Sequence, residues 1–541
     1  MLANIINKTT IIALLTVLLG SSCSDFLDVA PTSELESNYF ENENRIQRGI
    51  GAIYAEITNL YGSNLAKAGA THPIYLLQGD DLAASGTSYS NYEAFSGFSA
   101  GDGLVAQYWG HLYQTISRAN FMLQKIELPE IQAVYTTPNL PDYNRGEALF
   151  LKSWVYYRLW DMFRKAPLQE ERIESMDAAI LPPSKGFEML DCAIQHLEVA
   201  AELLPTSWNQ ENKGRAFKNS AYGLLVKCYV MRACYATEYG GNKEEDYNKA
   251  ISVFEKMTPD NTIVNVPFGD NFDYRTENNA ESLFEFQASH AQKEDNSWLD
   301  NNFGGDAGFM GAYYQYFTTH WAAGAPPIGP TRKLMKLFEP GDPRQLETFK
   351  KAEEVDNCNG SLWWLGSAWD YYDGYQFVKY INGERGNLYD RNWQITSGNN
   401  PRILRLADVF LTVAEAYFQT GNVAKATDLV NQVRTRARFS TPDGSESAVP
   451  ANYATVTFQN IMDERMLELA GEEGIRWTDL RRWYAAGYID LSQWTSEDFG
   501  YLSDSATFAF SVPKHLLYPI PTGEINSNPL MQADGNNPGY N

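Results

Sequence analysis

Apolar residues recur at helical spacing in both the first and the last part of the chain. Ile46, Ile50, Ile53, Ile57 and Leu60 follow one another at intervals of three and four residues, which places them on one face of a helix. The same spacing predicts amphipathic helices at about 104–126, 145–163, 187–204, 215–237, 247–257, 404–420, 423–438, 458–470 and 476–486. The pattern therefore predicts a mainly α protein with helices concentrated in 40–257 and 404–486.

Three pairs of these helices fit the tetratricopeptide pattern of large and small residues. The first pair, at 404–438, contains Phe410, Val413, Ala414, Tyr417, Gly421, Ala426 and Val430. The second contains Tyr222, Leu225, Val226, Tyr229, Ala250 and Phe254, and the weaker third contains Phe150, Ser153, Trp154, Tyr157, Ala193 and Leu197. Because one pair cannot bury its apolar face alone, we predict stacked tetratricopeptide-like repeats. Generic helical hairpins are the alternative.

The stretch from about 260 to 400 has a different pattern. It is rich in Gly, Asn, Asp and Tyr, has few long periodic runs and is interrupted by prolines. Its many aromatic residues argue against disorder. We therefore predict a large, variable, loop-rich irregular region that binds the ligand and rests on the helical repeat scaffold. Residues 500–541 are predicted to form an extended C-terminal segment.

The N-terminus carries a targeting pattern. The apolar run from Ile11 to Leu19 follows Lys8 and is too short to span about 30 Å of hydrocarbon as a helix. Residues 1–22 are therefore predicted to be a lipoprotein signal peptide, and 23–541 to form a single domain. The sequence Leu-Gly-Ser-Ser before Cys23 resembles a lipobox, which predicts that Cys23 is acylated and anchors the protein in the membrane. An ordinary secretory signal with a free cysteine is the alternative.

Charge and motifs exclude several classes of function. Lys and Arg number 43 against 67 Asp and Glu, and the net charge of −24 argues against nucleic-acid binding. Gly-x-Ser-x-Gly, Walker and His-Glu-x-x-His motifs are missing, and the six histidines are scattered without metal-ligand spacing. Four cysteines besides Cys23 are predicted to be buried thiols, with one bridge between neighbouring helices as the alternative.

No cofactor is predicted. Asp370-x-x-Asp373-Gly374 and Asp270-x-x-Asp273 could bind Ca²⁺, but neither follows the twelve-residue calcium-loop pattern. A glycoside hydrolase, which needs two carboxylates, is a rival hypothesis that the many acidic residues neither support nor exclude.

Aromatic residues make up 13% of the chain and concentrate in the irregular region. A pyranose ring stacks its C–H face on indole or phenol rings, while its hydroxyls bond to polar side chains. The predicted stacking residues are Trp298, Tyr313, Tyr314, Tyr316, Trp321, Trp363, Trp364, Trp369, Tyr371 and Tyr372, with Tyr89 and Tyr92 in a third patch. The predicted polar ligand-binding residues are Asp80, Asp81, Asp306, Gln315, Asp370 and Asp373. The alternatives are core packing for the rings and helix capping for Asp80 and Asp81.

Several motifs resemble the SusD/RagB-like outer-membrane lipoproteins of Bacteroidetes, nearly from end to end. The resemblance rests on Cys23-Ser-Asp-Phe-Leu-Asp, Leu406 to Tyr417, Glu464-Arg465, Arg476-Trp477, Leu517-Tyr-Pro519 and Asn537-Pro538-Gly539-Tyr540. One departure is the link from Gly471 to Ile475, which is one residue longer than usual in the family.

The resemblance implies a helical, non-catalytic protein on the cell outer membrane that forms a lid on a TonB-dependent transporter of the SusC type. Members of the family capture oligosaccharides and pass them inward, and their ligand sites lie in the variable loops. Capture of peptides or other nutrients, and a role mainly as a transporter lid, are the alternatives.

Overall fold

The computed structural model describes residues 39–61, 73–84, 90–257, 263–287, 328–351, 373–380, 400–501 and 506–540. Within these residues the protein is mostly helical, which confirms the predicted fold class. The helices before residue 260 are α1 Glu43–Tyr61, α2 Pro73–Leu76, α3 Ser90–Glu93, α4 Gly103–Ile126, α5 Pro129–Gln132, α6 Leu140–Phe163, α7 Glu188–Leu203, α8 Lys218–Cys234, α9 Ala236–Tyr239 and α10 Lys243–Phe254. The later helices are α11 Arg332–Leu337, α12 Pro343–Thr348, α13 Leu406–Gln419, α14 Val423–Arg438, α15 Phe458–Leu469, α16 Ile475–Ala485, α17 Thr522–Ser527 and α18 Pro529–Asp534.

The long helices form a continuous stack. In chain order α1 packs on α4, α4 on α6, α6 on α7, α7 on α8, α8 on α10, α10 on α13 and α13 on α14. The pairs α6/α7, α8/α10 and α13/α14 coincide with the three helix pairs predicted from the sequence. Each pair buries its apolar face against the next pair, as repeat units must. The tetratricopeptide character of these pairs stays a prediction.

The helix positions follow from local sequence signals. The five apolar residues of α1 that recur at helical spacing are all buried. Helix α6 begins at Leu140, earlier than the predicted 145, because Pro141 lies in its first turn, where a missing N–H costs nothing. Helix α10 begins at Lys243, earlier than the predicted 247, because the Asn242 side chain accepts a hydrogen bond from the Glu245 N–H. The proline in the first turn of α6 and the polar first turn of α10 therefore hid the two helix starts from the hydrophobic pattern.

Within the described residues, six short strands form three antiparallel pairs. The strands are β1 Leu82–Ala84, β2 Ser282–Glu285, β3 Ile328–Pro330, β4 Phe349–Lys350, β5 Gln376–Phe377 and β6 Arg402–Arg405. Strand β1 pairs with β3, β2 with β6 and β4 with β5, in registers that place Ala83 opposite Gly329 and Phe349 opposite Phe377. In the described parts of 260–400 the longest elements are α11 and α12, with six residues each.

The C-terminal segment is extended only in part. Residues 522–534 form the short helices α17 and α18. The Asn528 side chain accepts hydrogen bonds from the N–H groups of Leu530 and Met531, and Pro529 occupies the first turn of α18. The Asn528-Pro529 pair, whose sequence favours a turn, thus starts a helix inside the segment 500–541 that is predicted to be extended.

Two further expectations concern cysteines and membrane spans. Cys192, Cys228 and Cys234 are buried free thiols, so no disulfide joins these three residues. Cys358 lies outside the described residues. Among the described helices, none has both the length and the apolar character needed to cross a bilayer.

A set of ten buried charged residues joins the irregular region to the helical stack. We call this set the central ion network: it contains the cations Arg344, Lys379, Arg405, Arg434 and Arg436 and the carboxylates Glu281, Asp342, Glu464, Glu468 and Glu472.

Arg405, on β6, is the centre of this network. Its guanidinium donates to Glu281 at 2.7 Å, to Glu468 at 2.7 Å and to Glu472 at 2.6 Å. Arg436 of α14 pairs with the same Glu281 and Glu468. Because Glu281 precedes β2 while Glu468 belongs to α15, these contacts fasten the irregular region to two helices.

The loop before β1 is fastened by a second set of charges. Asp80 is buried and pairs with Arg476 of α16, at 3.0 Å, and with Lys333 of α11, at 2.6 Å. Burial opposes ionisation, but Arg476 and Lys333 outweigh it and lower the pKa of Asp80 to about 2. Burial raises the pKa of the adjacent Asp81 to about 6, although its carboxylate accepts a hydrogen bond from the Gly471 N–H at 3.0 Å.

We expect Arg405→Met to lower the free energy of unfolding by about 3–5 kcal/mol, because three carboxylates would lose a buried partner. Urea unfolding followed by circular dichroism measures the change. The matched control is Arg145→Met, which removes an exposed pair with Glu127 and should cost less than about 1 kcal/mol. Equal effects of the two substitutions would contradict the importance of the central ion network.

We also expect Asp80→Asn and Asp81→Asn to change the pH dependence of stability in opposite directions. The folded pKa of Asp81 lies above its ordinary value of 3.8, so its stabilising contribution is complete below pH 3.8 and is lost as the pH rises through about 6. Asp81→Asn should therefore gain stability relative to the native protein as the pH rises to 7, by roughly 3 kcal/mol.

The folded pKa of Asp80 lies below 3.8, so its contribution is present above that pH and is lost as the pH falls through about 2. Asp80→Asn should accordingly be less stable than the native protein at pH 7 and approach it in acid. Unfolding curves at several pH values test both variants. Parallel pH profiles for the two would contradict the assigned pKa directions.

Candidate functional site

Three short strands bring distant parts of the chain together. Strand β1 pairs with β3, and β3 packs against β5. We call this meeting of β1, β3 and β5 the strand junction. Its main-chain contacts are supplemented by Thr331, whose N–H donates to the Asp81 carbonyl at 2.9 Å and whose hydroxyl donates to the Asp80 carbonyl at 2.6 Å.

Along the sequence, the three predicted glycan-binding patches contain or precede the strands of the junction. Residues 85–89 directly follow β1, and the aromatic segment at 298–321 lies in the stretch that ends at β3. The aromatic cluster at 363–377 leads into β5. The strands that meet at the junction are therefore sequence neighbours of all three patches, although the patches are far apart in the chain.

Most of the predicted ligand-binding residues lie outside the described residues. These are Trp298, Tyr313, Tyr314, Tyr316, Trp321, Trp363, Trp364, Trp369, Tyr371, Tyr372, Tyr89, Asp306, Gln315 and Asp370, together with the predicted lipidation site Cys23. Their roles stay predictions.

Three of the predicted residues lie in the protein interior. Asp80 and Asp81 are buried in the loop described above, and Asp80 pairs with Arg476 where the sequence had suggested either ligand contact or capping. Tyr92 is buried, its hydroxyl donates to Asp102 at 2.8 Å, and Asp102 caps the start of α4. These contacts hold the scaffold together, so we do not carry the three residues into the proposed binding site.

Asp373 is the predicted polar residue that the structure places at the surface of the strand junction. Its side chain is 68% exposed and lies 3.5 Å from Arg332, which is 66% exposed. An ion pair this exposed contributes little to stability. Both side chains can therefore exchange their mutual contact for hydrogen bonds to sugar hydroxyls.

Two half-buried aromatic residues lie beside the junction. Tyr375 precedes β5, and the Lys351 ammonium lies 4.7 Å from its ring centroid. Trp494 lies under Lys333, with 4.2 Å between the ammonium and the ring centroid. Sequence reasoning missed Trp494 because it lies far outside both aromatic clusters, and only the packing of α11 brings it to the junction.

A separate cleft of about 190 Å³ lies beside β2. Its lining includes Trp208, Asn279 and Ser282. Trp208 is half-buried, with the Arg215 guanidinium 4.5 Å from its ring centroid. The cleft is smaller than the roughly 300 Å³ of the smallest usual ligand pockets, so it has room for about one sugar ring.

The two possible calcium motifs differ in what the structure describes. The Asp273 carboxylate accepts hydrogen bonds of 2.5–3.1 Å from the Arg275 guanidinium. The carboxylate that the calcium motif would use is therefore already paired with a positively charged side chain. Asp373 pairs with Arg332, and its motif partner Asp370 lies outside the described residues.

The chain is similar to known proteins over nearly its whole length. A model of the SusD family matches residues 229–540, and a second model, for proteins described as starch-binding and associating with the outer membrane, matches residues 25–230. SusD-like protein P25 from Formosa agariphila is 22% identical, with 96% of this chain and 97% of that protein covered.

Several solved structures have a fold similar to that of this chain. A laminarin-binding SusD-like protein superposes with a TM-score of 0.68 at 23% identity, covering 92% of this chain and all of that chain. Surface glycan-binding protein A from Bacteroides thetaiotaomicron, solved in complex with laminarihexaose, has a TM-score of 0.65 at 18% identity, covering 90% of this chain and 98% of its own. The model of the SusD family alone matches more than half of the length of this chain, so the chain belongs to the SusD family.

Proposed function

We propose that this protein captures oligosaccharides or polysaccharide fragments at the cell surface, without cleaving them, and delivers them to a TonB-dependent outer-membrane transporter. The observation that supports the proposal is the strand junction, because β1, β3 and β5 meet and each of these strands lies within or shortly after a stretch of sequence that is predicted to bind glycan. Membership of the SusD family supports it, and so do two similar structures whose names mention laminarin and laminarihexaose.

The chemistry of the junction suits a neutral sugar. The predicted rings at 298–321 and 363–372 supply stacking surfaces, and the exposed Asp373 and Arg332 supply hydrogen bonds to the rim of the sugar. The net charge of −24 disfavours strongly anionic glycans by repulsion. We therefore place a neutral oligosaccharide at the strand junction.

Binding without hydrolysis is the simpler interpretation of the described carboxylates. A glycosidase needs two carboxyl groups about 5–9 Å apart that both reach the sugar. Asp80 and Asp81 are adjacent but buried, and Asp80 is paired with two cations. This pair therefore cannot serve as a catalytic pair without breaking contacts that hold the loop.

The location we propose is the outer face of the outer membrane, with acylated Cys23 as the anchor. The description of the model that matches residues 25–230, which mentions association with the outer membrane, supports this location. Acyl chains give stable anchoring only when more than one is attached, as in lipoproteins.

We expect alanine substitution of Trp298, Trp321, Trp363 or Trp364 to weaken oligosaccharide binding about tenfold or more, because each loses about 1.4 kcal/mol of stacking. Isothermal titration of the purified protein with laminarihexaose and a panel of other oligosaccharides measures the affinities. Trp208→Ala is the matched variant for the separate cleft and should leave the affinity unchanged.

Unchanged affinity in all four variants would contradict the site at the strand junction, and a loss in Trp208→Ala alone would move it to the cleft. Release of reducing ends from a bound glycan would contradict non-catalytic binding.

Binding of peptides in place of glycans would support the alternative substrate class. If cells with the four variants still take up the glycan while cells without the protein do not, the main role is that of a transporter lid.

We expect Cys23→Ala to abolish acylation and to release the protein from the membrane fraction. Mass spectrometry of the mature N-terminal peptide and fractionation of cells measure the two effects. Cys228→Ala, which removes a buried thiol, should leave both unchanged. Retention of the Cys23→Ala variant in the outer membrane would show that another part of the protein provides the attachment.

A further inference from the structure

A glutamate, a cysteine and a histidine lie together beside helix α7, and none of the three is among the residues predicted to contact a glycan. The Cys192 Sγ is 3.7 Å from Glu170 Oε2 and 3.8 Å from His196 Nε2. One potential ligand atom from each residue lies within 4.8 Å of the others. Glu170 is exposed, His196 is half-buried and Cys192 is buried, so the cluster lies at the protein surface with its sulfur facing inward.

Helix geometry explains why two of these residues meet. Cys192 and His196 are four positions apart on α7, and such residues lie on the same face one turn apart. Spacing among the six histidines does not reveal this pair, because the partner of His196 on α7 is a cysteine. The third residue, Glu170, comes from the loop after α6 and is brought to α7 by tertiary packing.

The loop that carries Glu170 is held by side chains from two helices. The Tyr156 hydroxyl donates to the Gln169 carbonyl at 2.6 Å, and the Lys152 ammonium donates to the Glu170 carbonyl at 2.7 Å. The Asn120 amide donates to the Glu171 carbonyl at 2.9 Å. Three successive carbonyls are therefore fixed, and the Glu170 side chain leaves a backbone that is already in place.

The spacing of the three ligand atoms fits a small tetrahedral ion. Zinc bonds of about 2.0–2.3 Å at tetrahedral angles place ligand atoms roughly 3.5 Å apart. The separations of the Cys192 sulfur from Glu170 and His196 exceed this value by only a few tenths of an ångström, while the Glu170 and His196 ligand atoms lie within 4.8 Å of each other. Binding of one ion requires the Glu170 and His196 side chains, which are not fully buried, to rotate until all three atoms reach bonding distance.

Charge and ligand type narrow the class of ion. The negative charges of a thiolate and a carboxylate together balance the charge of a divalent ion. Sulfur and imidazole nitrogen are ligands that transition-metal ions favour, whereas Ca²⁺ and Mg²⁺ prefer oxygen ligands. The Lys152 ammonium adds a positive charge nearby, and its own hydrogen bond to the Glu170 carbonyl holds it on the backbone side of the loop.

We propose that Glu170, Cys192 and His196 form a binding site for a divalent transition-metal ion such as Zn²⁺, with a fourth coordination position left for water. The bound ion would join the loop after α6 to α7. This site shares no residue with the proposed glycan site, so either proposal can fail without the other.

Cobalt titration tests the proposal, because Co²⁺ replaces Zn²⁺ and its bond to a thiolate gives a charge-transfer absorption in the near ultraviolet. We expect the purified, chelator-treated protein to show this band with one equivalent of Co²⁺ and to lose it on addition of Zn²⁺. Cys192→Ser should abolish the band. Glu170→Gln and His196→Gln, which alter side chains that are not fully buried, should weaken Co²⁺ binding at least about tenfold.

Cys228→Ala is the matched control, because its thiol is buried on α8 without a histidine or carboxylate partner in the described contacts, and it should keep the band. A native protein without the thiolate band, or a band that persists in Cys192→Ser, would overturn the proposal. Equal Co²⁺ affinity in the native protein and in both glutamine variants would also overturn it. Thermal unfolding of each variant without metal confirms that the protein is folded.

Discussion

The central ion network is the interaction on which the architecture depends. The network pairs five buried cations with five buried carboxylates. These charged residues come from β6, α12, α14, α15 and the segments before β2 and after β5. A buried charge without a partner is strongly destabilising. Each member therefore restricts the position of the others, and the segments that carry Glu281, Arg344 and Lys379 have one favourable position against α14 and α15.

This constraint explains how a protein can carry long irregular segments on a regular stack. Short strands alone would hold such segments weakly, because two- to four-residue strands form few hydrogen bonds. The charge pairs add directional contacts at the same places: Lys379 follows β5, and Arg405 ends β6.

The helical scaffold was predictable because its signals are local. Apolar spacing located α1, α4, α7, α13 and α14 to within a few residues, since an amphipathic helix needs only its own sequence to define its buried face. The differences between predicted and observed helix starts have local causes as well. Helices begin where the hydrophobic pattern is weak because of capping by Asn242 and Asn528 and because of the first-turn prolines Pro141 and Pro529. Strand β6 was missed because all four of its residues are buried and show no alternation.

By itself, the sequence determined the helical class, the aromatic concentration at 298–321 and 363–377 and the motifs of the SusD family. Only the tertiary structure decided that Asp80, Asp81 and Tyr92 are buried, that β1, β3 and β5 meet, and that Glu170 joins Cys192 and His196. The physical reason is the range of the interactions. Helix formation depends on neighbours three or four residues away, whereas the partner of a buried charge can be hundreds of residues distant, as Arg476 is from Asp80.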